Sequence, residues 1–147
     1  SINNFKPLAH RLEFIDRING VSIYNDSKAT NIKSMAAAIK SFNREIVVIV
    51  GGKDKGKTDF LSTFKVLKNN IKFISCYGES GKNIKEKLGS EFPCEYNQEF
   101  SKAVLAGISQ CVENDTLLLS PGCASYDQFN NYIERGDKFR EIIIGLT

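Results

Sequence analysis

Four short stretches hold the residues whose types and spacing could do chemistry: NDSKATN (25–31), GGKDKGKTD (51–59), GESG (78–81) and SPGCASYDQF (120–129). The second, read with the apolar run before it as IVVIVGGKDKGKT, fits G-x-x-x-x-G-K-[ST] from Gly51 to Thr58. That spacing lets glycine-rich backbone and one lysine cradle nucleotide phosphates. Asp54 opposes such chemistry, because a carboxylate inside the cradle would face polyphosphate across a poorly solvated gap. The aspartate that would hold magnesium from the end of another buried strand is also missing at the obvious place. There, Thr116 to Leu119 runs into Ser120-Pro121-Gly122, and Glu79 is the available stand-in. A self-contained phosphate-loop NTPase or kinase therefore stays open on the residues alone.

Each polar stretch also has a plainer reading. Thr30 or Asn31 could cap a following helix, as could Asp59. Lys28, Lys53 and Lys57 could be solvated lysines, and a glycine pair behind a strand can simply turn the chain. What favours a site is that the hydroxyls, lysines and aspartates recur in loops that one fold would gather at one edge.

The elements that would gather them follow from periodicity. Asn19-Gly20 between two strand-like runs is the pair a type I′ turn requires, so residues 13–26 predict an antiparallel hairpin. In NIKSMAAAIKSF, Ile32, Met35, Ala36 and Ile39 recur at helical spacing. Strand and helix then alternate: a strand over 45–50, a helix near 59–68, a strand over 71–77, a helix near 80–88 and a short strand around 94–96. A helix striped by Phe100, Ala103, Val104, Gly107, Ile108, Cys111 and Val112 follows, then a strand over 116–119. Helical segments over about 126–144 close the chain, with a break expected at Gly136-Asp137 and Asp137 capping the second piece. The strands over 46–50 and 117–119 are apolar at consecutive positions, which requires cover on both faces. The expected fold is an α/β three-layer, Rossmann-like, mostly parallel sheet with an N-terminal antiparallel hairpin, one domain over residues 1–147. In such sheets ligands bind beyond the carboxyl ends of the strands, where the four stretches lie.

Composition narrows the class. The 147 residues, 41% hydrophobic and 25% charged, suit one globular domain with a full core. No apolar run is long enough for a membrane span and no charged-then-apolar leader opens the chain, so the expected location is cytoplasmic. A net charge of +3 from 20 basic and 17 acidic residues is too balanced to argue for nucleic acid. Cys76, Cys94, Cys111 and Cys123 have no C-x-x-C spacing, which predicts reduced, mostly buried thiols and no metal site. The opening SINNFKPLAHRLEF lacks a methionine and reads as part of a longer chain.

Together, NDSKATN behind the hairpin, VGGKDKGKTDF behind the next strand, LLLSPGCASYDQFNNYIERGDKF near the end and AHRLE at residues 9–13 resemble the C-terminal domain of the Mur ligases. DSKATN with SPGCASYDQF, in this order, is similar to the branch that adds D-glutamate. The resemblance spans essentially the whole chain. It implies a Rossmann-like C-terminal domain of a three-domain enzyme, with a UDP-sugar-binding N-terminal domain and a central domain carrying the true phosphate loop. It implies an ATP-dependent amide ligation in peptidoglycan synthesis. ATP, with Mg2+, phosphorylates the carboxylate of UDP-N-acetylmuramoyl-L-alanine, and D-glutamate attacks the acyl phosphate. The isolated domain would be inactive and bind no cofactor. Residue by residue, the resemblance places Thr30, Lys55, Ser125, Tyr126 and Tyr132 around D-glutamate, with Lys57 the alternative to Lys55. It places His10, Arg11, Asp26 and Lys28 toward ATP on domain closure, and assigns no catalytic residue or metal ligand to this domain. Tyr132 stands where many relatives have phenylalanine and Gly122 where many have alanine.

Overall fold

The structure, a computed structural model, describes residues 8–54 and 58–147. The hairpin pairs β1 (Glu13–Ile18) with β2 (Val21–Asn25). Its turn residues Asn19 and Gly20 have φ of 51° and 81°, the two positive values that a type I′ turn demands. Then follow α1 (Ile32–Lys40), β3 (Ile46–Gly51), α2 (Phe60–Val66), a single 3-10 turn (Lys68–Asn70), β4 (Ile71–Tyr77), α3 (Gly78–Leu88), β5 (Cys94–Asn97), α4 (Phe100–Ser109), β6 (Thr116–Gly122) and α5 (Tyr132–Ile144). The strands lie in the order β1-β2-β6-β3-β4-β5, parallel throughout except for β1.

Successive residues of the central strand feed two separate cores. Ile46, Val48 and Val50 pack with Met35, Ile39, Phe60, Phe64 and Ile84 from α1, α2 and α3. Val47 and Ile49 face the other way, onto Phe100 and Val104 of α4 and Phe139 and Ile143 of α5. The unbroken apolar run is thus explained by cover on both faces, each buried side chain contributing about 1.5–3 kcal/mol. This is the three-layer arrangement expected from the sequence. The last crossover inserts β6 between β2 and β3, so the loops leaving these three strands become neighbours.

Helix starts follow the caps. Asn31 accepts from the Ser34 N–H at 2.9 Å and Asp59 from the Ser62 N–H at 3.0 Å, so both fill the plainer role considered for them. No helix among the described residues is long and apolar enough to cross a membrane.

Three boundaries differ from expectation. Residues 78–81 are not a loop but the first turn of α3. β6 continues through Ser120, Pro121 and Gly122, where Gly122 pairs with Gly51 of β3, and the Gly122 N–H also donates to the Ala29 carbonyl at 2.9 Å. The closing helix begins at Tyr132, capped by the Asn131 side chain on the Glu134 N–H, and runs through Gly136 and Asp137 without a break. Gly136 is a packing residue there: a Cβ on it would lie 2.1 Å from Nδ1 of His10, so the glycine makes room for that ring.

Candidate functional site

The loops behind β2, β6 and β3 are stitched into one surface. Lys53 and Ala124 exchange backbone hydrogen bonds, 2.8 Å from the Lys53 N–H and 3.1 Å from the Ala124 N–H. This approach needs glycine, because Gly52 has φ of 121° and a Cβ there would lie 2.4 Å from the Ala124 carbonyl oxygen.

Beneath that surface lies Arg135, the largest fully buried side chain. Its guanidinium donates from Nε to Ser27 Oγ at 3.0 Å, from Nη1 to Tyr77 Oη at 3.1 Å and to the Cys123 carbonyl at 3.0 Å, and from Nη2 to the Ser27 carbonyl at 2.8 Å. One planar fork thereby ties the ends of β2, β4 and β6 together through neutral oxygens. Sequence reading passed over this residue. The signal was present: Arg135 precedes Phe139 and Ile143 at i, i+4 and i+8, an arginine on the apolar stripe of a helix.

Around this platform three hollows open. One, of about 300 Å³, is lined by Thr30, Ala124, Ser125, Tyr126 and Tyr132. Four of the five residues expected around D-glutamate thus share a single cavity. Lys55 and its alternative Lys57 lie outside the described residues. A second hollow of about 360 Å³ adjoins the first through Thr30 and Ala124 and is bordered by Asn31, Lys53, Asp54 and Thr58. Burial pushes the Cys123 thiol beside it up to about 12, so this sulfur stays protonated and packs as an apolar group.

The third hollow, about 440 Å³, is lined by Arg11, Asp26 and Lys28, together with Asn31 and Ser34 of the first turn region of α1. Three of the four residues expected toward ATP meet here. Asp26 is held by the Leu12 N–H at 3.1 Å and the Ser120 hydroxyl at 2.8 Å, and burial raises its carboxyl above the ordinary value despite both bonds. His10 is not brought into this hollow. Its ring is buried against Gly136 and meets the Tyr132 ring edge-on at 6.1 Å. Asn25 Oδ1 accepts from the Ser27 N–H, which turns Asn25 Nδ2 toward His10 Nδ1 at 3.0 Å, so Nδ1 is the accepting nitrogen. On its other side His10 Nε2 lies 3.6 Å from Asp137 Oδ1.

The phosphate-loop reading of residues 51–58 meets a geometric obstacle. The Gly52 N–H donates to the Tyr77 carbonyl at 3.2 Å, the Lys53 N–H to the Ala124 carbonyl and the Asp54 N–H to Ser80 Oγ at 2.8 Å. Three amides that a phosphate cradle would point at its ligand are engaged with protein oxygens. Thr58, whose hydroxyl would face magnesium, donates to Asp54 Oδ1 at 2.5 Å.

The family model described as "Mur ligase, glutamate ligase domain" matches residues 10–123. The UDP-N-acetylmuramoylalanine--D-glutamate ligase of Syntrophus aciditrophicus is 38% identical over 141 residues, 96% of this chain and 31% of that protein. Among solved structures, the UDP-N-acetylmuramate-alanine ligase from Thermotoga maritima aligns with a TM-score of 0.66 at 14% identity, covering 99% of this chain and 32% of that one. E. coli FolC in complex with DHPP and ADP aligns with a TM-score of 0.64 at 16% identity, covering 95% and 32%. These two likenesses show a shared fold. The chain spans about a third of the length of each of these three relatives. With the family model matching well over half of its residues, the chain belongs to the Mur ligase family and carries its glutamate ligase domain.

Proposed function

We propose that this chain is the C-terminal, amino-acid-holding domain of a three-domain, ATP-dependent ligase that adds D-glutamate to UDP-N-acetylmuramoyl-L-alanine in peptidoglycan synthesis. The observation that carries the reading is the grouping of Thr30, Ser125, Tyr126 and Tyr132 around one cavity at the carboxyl edge of the sheet. The relative from Syntrophus aciditrophicus, named for this D-glutamate ligation, supports the choice of amino acid. The cytoplasmic location expected from the sequence belongs to the same proposal.

In the proposed reaction the γ-phosphoryl group of ATP passes to the acceptor carboxylate, giving an acyl phosphate and ADP. The neutral amine of D-glutamate then adds to the acyl carbon, and the tetrahedral intermediate expels phosphate, forms the amide and releases the amine proton. The part played by this chain is positioning. Hydroxyls of Thr30 and Ser125, backbone at Tyr126 and one lysine suit the two carboxylates of glutamate, with Lys55 assigned the grip and Lys57 the alternative. Tyr132 closes the same cavity. Arg11, Asp26 and Lys28 would meet ATP when the domains close, Asp26 toward the ribose and Lys28 toward the phosphates, with His10 packed behind them. Mg2+ would accompany ATP and neutralise phosphate charge. In this reading the domain contributes no ligand to that metal, and the isolated domain has no turnover.

Phosphate release by the chain joined to its N-terminal and central domains, with ATP and UDP-N-acetylmuramoyl-L-alanine present, should depend on D-glutamate. Release that ignores D-glutamate overturns the reading. The rival, a self-contained phosphate-loop NTPase, requires tight binding of Mg·ATP to this chain alone, abolished by Lys57→Ala in a calorimetric titration.

A further inference from the structure

The glutamate-side cavity and the nucleotide-side hollow meet at one side-chain pair. Lys28 lines the nucleotide-side hollow, and its Nζ donates to Oη of Tyr132, which lines the other cavity, at 3.2 Å. The same ammonium lies 4.8 Å from the centroid of the Tyr132 ring. Tyr132 is itself anchored on two sides. Its carbonyl accepts from Ser27 Oγ at 2.7 Å, a hydroxyl held in turn by Arg135, and its ring abuts His10. The backbone of Lys28 is equally fixed, its N–H donating to the His10 carbonyl at 2.9 Å and its carbonyl accepting from the Thr30 N–H at 2.9 Å.

We propose that Tyr132 is a positioning residue, whose hydroxyl and ring face hold the Lys28 ammonium at the seam between the two cavities, within reach of an anion in either. A lysine head is a compact, strongly hydrated charge on a flexible stem, and it loses much rotamer freedom when it must reach one place. A neutral phenol oxygen and an aromatic face are weak partners compared with a carboxylate or a phosphate. They keep the ammonium from dispersing into solvent, and an entering anion outcompetes them. The hydroxyl is the specific element: a phenylalanine would supply the ring and the backbone contact to Ser27, and would lack the acceptor.

The inference deepens the ligase reading and rests on it for the identity of the two anions, while the position of Lys28 can be read without any turnover. In this chain, reductive methylation with 13C-formaldehyde gives each lysine its own dimethylammonium signal, and the field of a nearby ring shifts it. The Lys28 signal should stand apart from those of the exposed lysines, relax part of the way in Tyr132→Phe and fully in Tyr132→Leu. A Lys28 signal that coincides with the exposed lysines in the unsubstituted chain overturns the proposal, whatever the reaction proves to be. In the full-length enzyme, Tyr132→Phe should raise the KM for D-glutamate and for ATP together, by roughly three- to tenfold, with kcat changed less. In a Lys28→Met background the same substitution should have little further effect. An equal effect in both backgrounds means that the hydroxyl acts on substrate directly, and overturns the positioning role. If no D-glutamate-dependent release is seen at all, the ligase reading falls and the methyl signals alone decide the placement of Lys28.

Discussion

The Tyr77 hydroxyl accepts a hydrogen bond from Arg135 Nη1 at 3.1 Å inside a region where both side chains have no exposed surface. This contact joins the last residue of β4 to the first turn of α5, and through Ser27 and Cys123 the same guanidinium reaches the ends of β2 and β6. A charge so placed leaves several buried oxygens unpaired if it is removed. Arg135→Met should therefore destabilise the fold by about 3–5 kcal/mol, and Tyr77→Phe, which removes one neutral acceptor, by about 1–2 kcal/mol. Urea unfolding of the two variants tests the ordering. Equal, small losses would mean that the guanidinium does not tie the loops.

Gly52 supports the same platform from the β3 side. With φ of 121° and the Ala124 carbonyl oxygen 2.4 Å from where a Cβ would sit, Gly52→Ala must open the Lys53–Ala124 bridge. The expected loss is at least about 2 kcal/mol, with faster hydrogen exchange at the Lys53 and Ala124 amides. Wild-type protection of those amides in the variant would show that the approach of the two loops tolerates a side chain.

Much of this architecture was legible in the sequence. The Asn19-Gly20 turn, the runs buried on both faces and the caps at Asn31 and Asp59 depend on neighbours within a few residues, and local pattern captures them. The gathering of Thr30, Ser125, Tyr126 and Tyr132 was expected from resemblance to a family, and no periodicity would have found it. Two features escaped because they are set by contacts distant in sequence. Gly136 looked like a helix break, but the space a side chain would take there is filled by His10, from far earlier in the chain. Arg135 was passed over, and only the crossover that brings β6 beside β2 reveals what it reaches.

Two carboxylates near the site should leave opposite marks on the pH dependence of stability. Burial pushes Glu13 up, but hydrogen bonds from the Arg140 side chain and the His10 N–H outweigh it and hold the carboxyl below its ordinary value. Its contribution is present above about pH 4.3, the unfolded value, and is lost as pH falls through the lowered folded value. Asp26 is raised by burial, so the stability linked to its protonated form is present below about pH 3.9 and is lost as pH rises through the raised value. Glu13→Gln should lower stability by about 1 kcal/mol at neutral pH and converge with the parent in acid. Asp26→Asn should remove a decline that begins just above pH 4. Parallel pH profiles for parent and variants would refute both assignments.

Under the proposed ligase reading a lysine serves the cavity lined by Thr30, Ser125, Tyr126 and Tyr132, and substitution can separate the two candidates. The hollow adjoining that cavity is bordered by Lys53, Asp54 and Thr58, the described residues that flank Lys55 and Lys57 in the sequence. A cation gripping a carboxylate of D-glutamate contributes to binding of that substrate and little to binding of ATP. Lys55→Ala in the full-length enzyme should therefore raise the KM for D-glutamate by roughly ten- to a hundredfold, with the KM for ATP changed far less. Lys57→Ala should then be mild by comparison. The reverse ordering moves the grip to Lys57, and equal effects on both substrates for both variants would mean that neither lysine holds the amino acid.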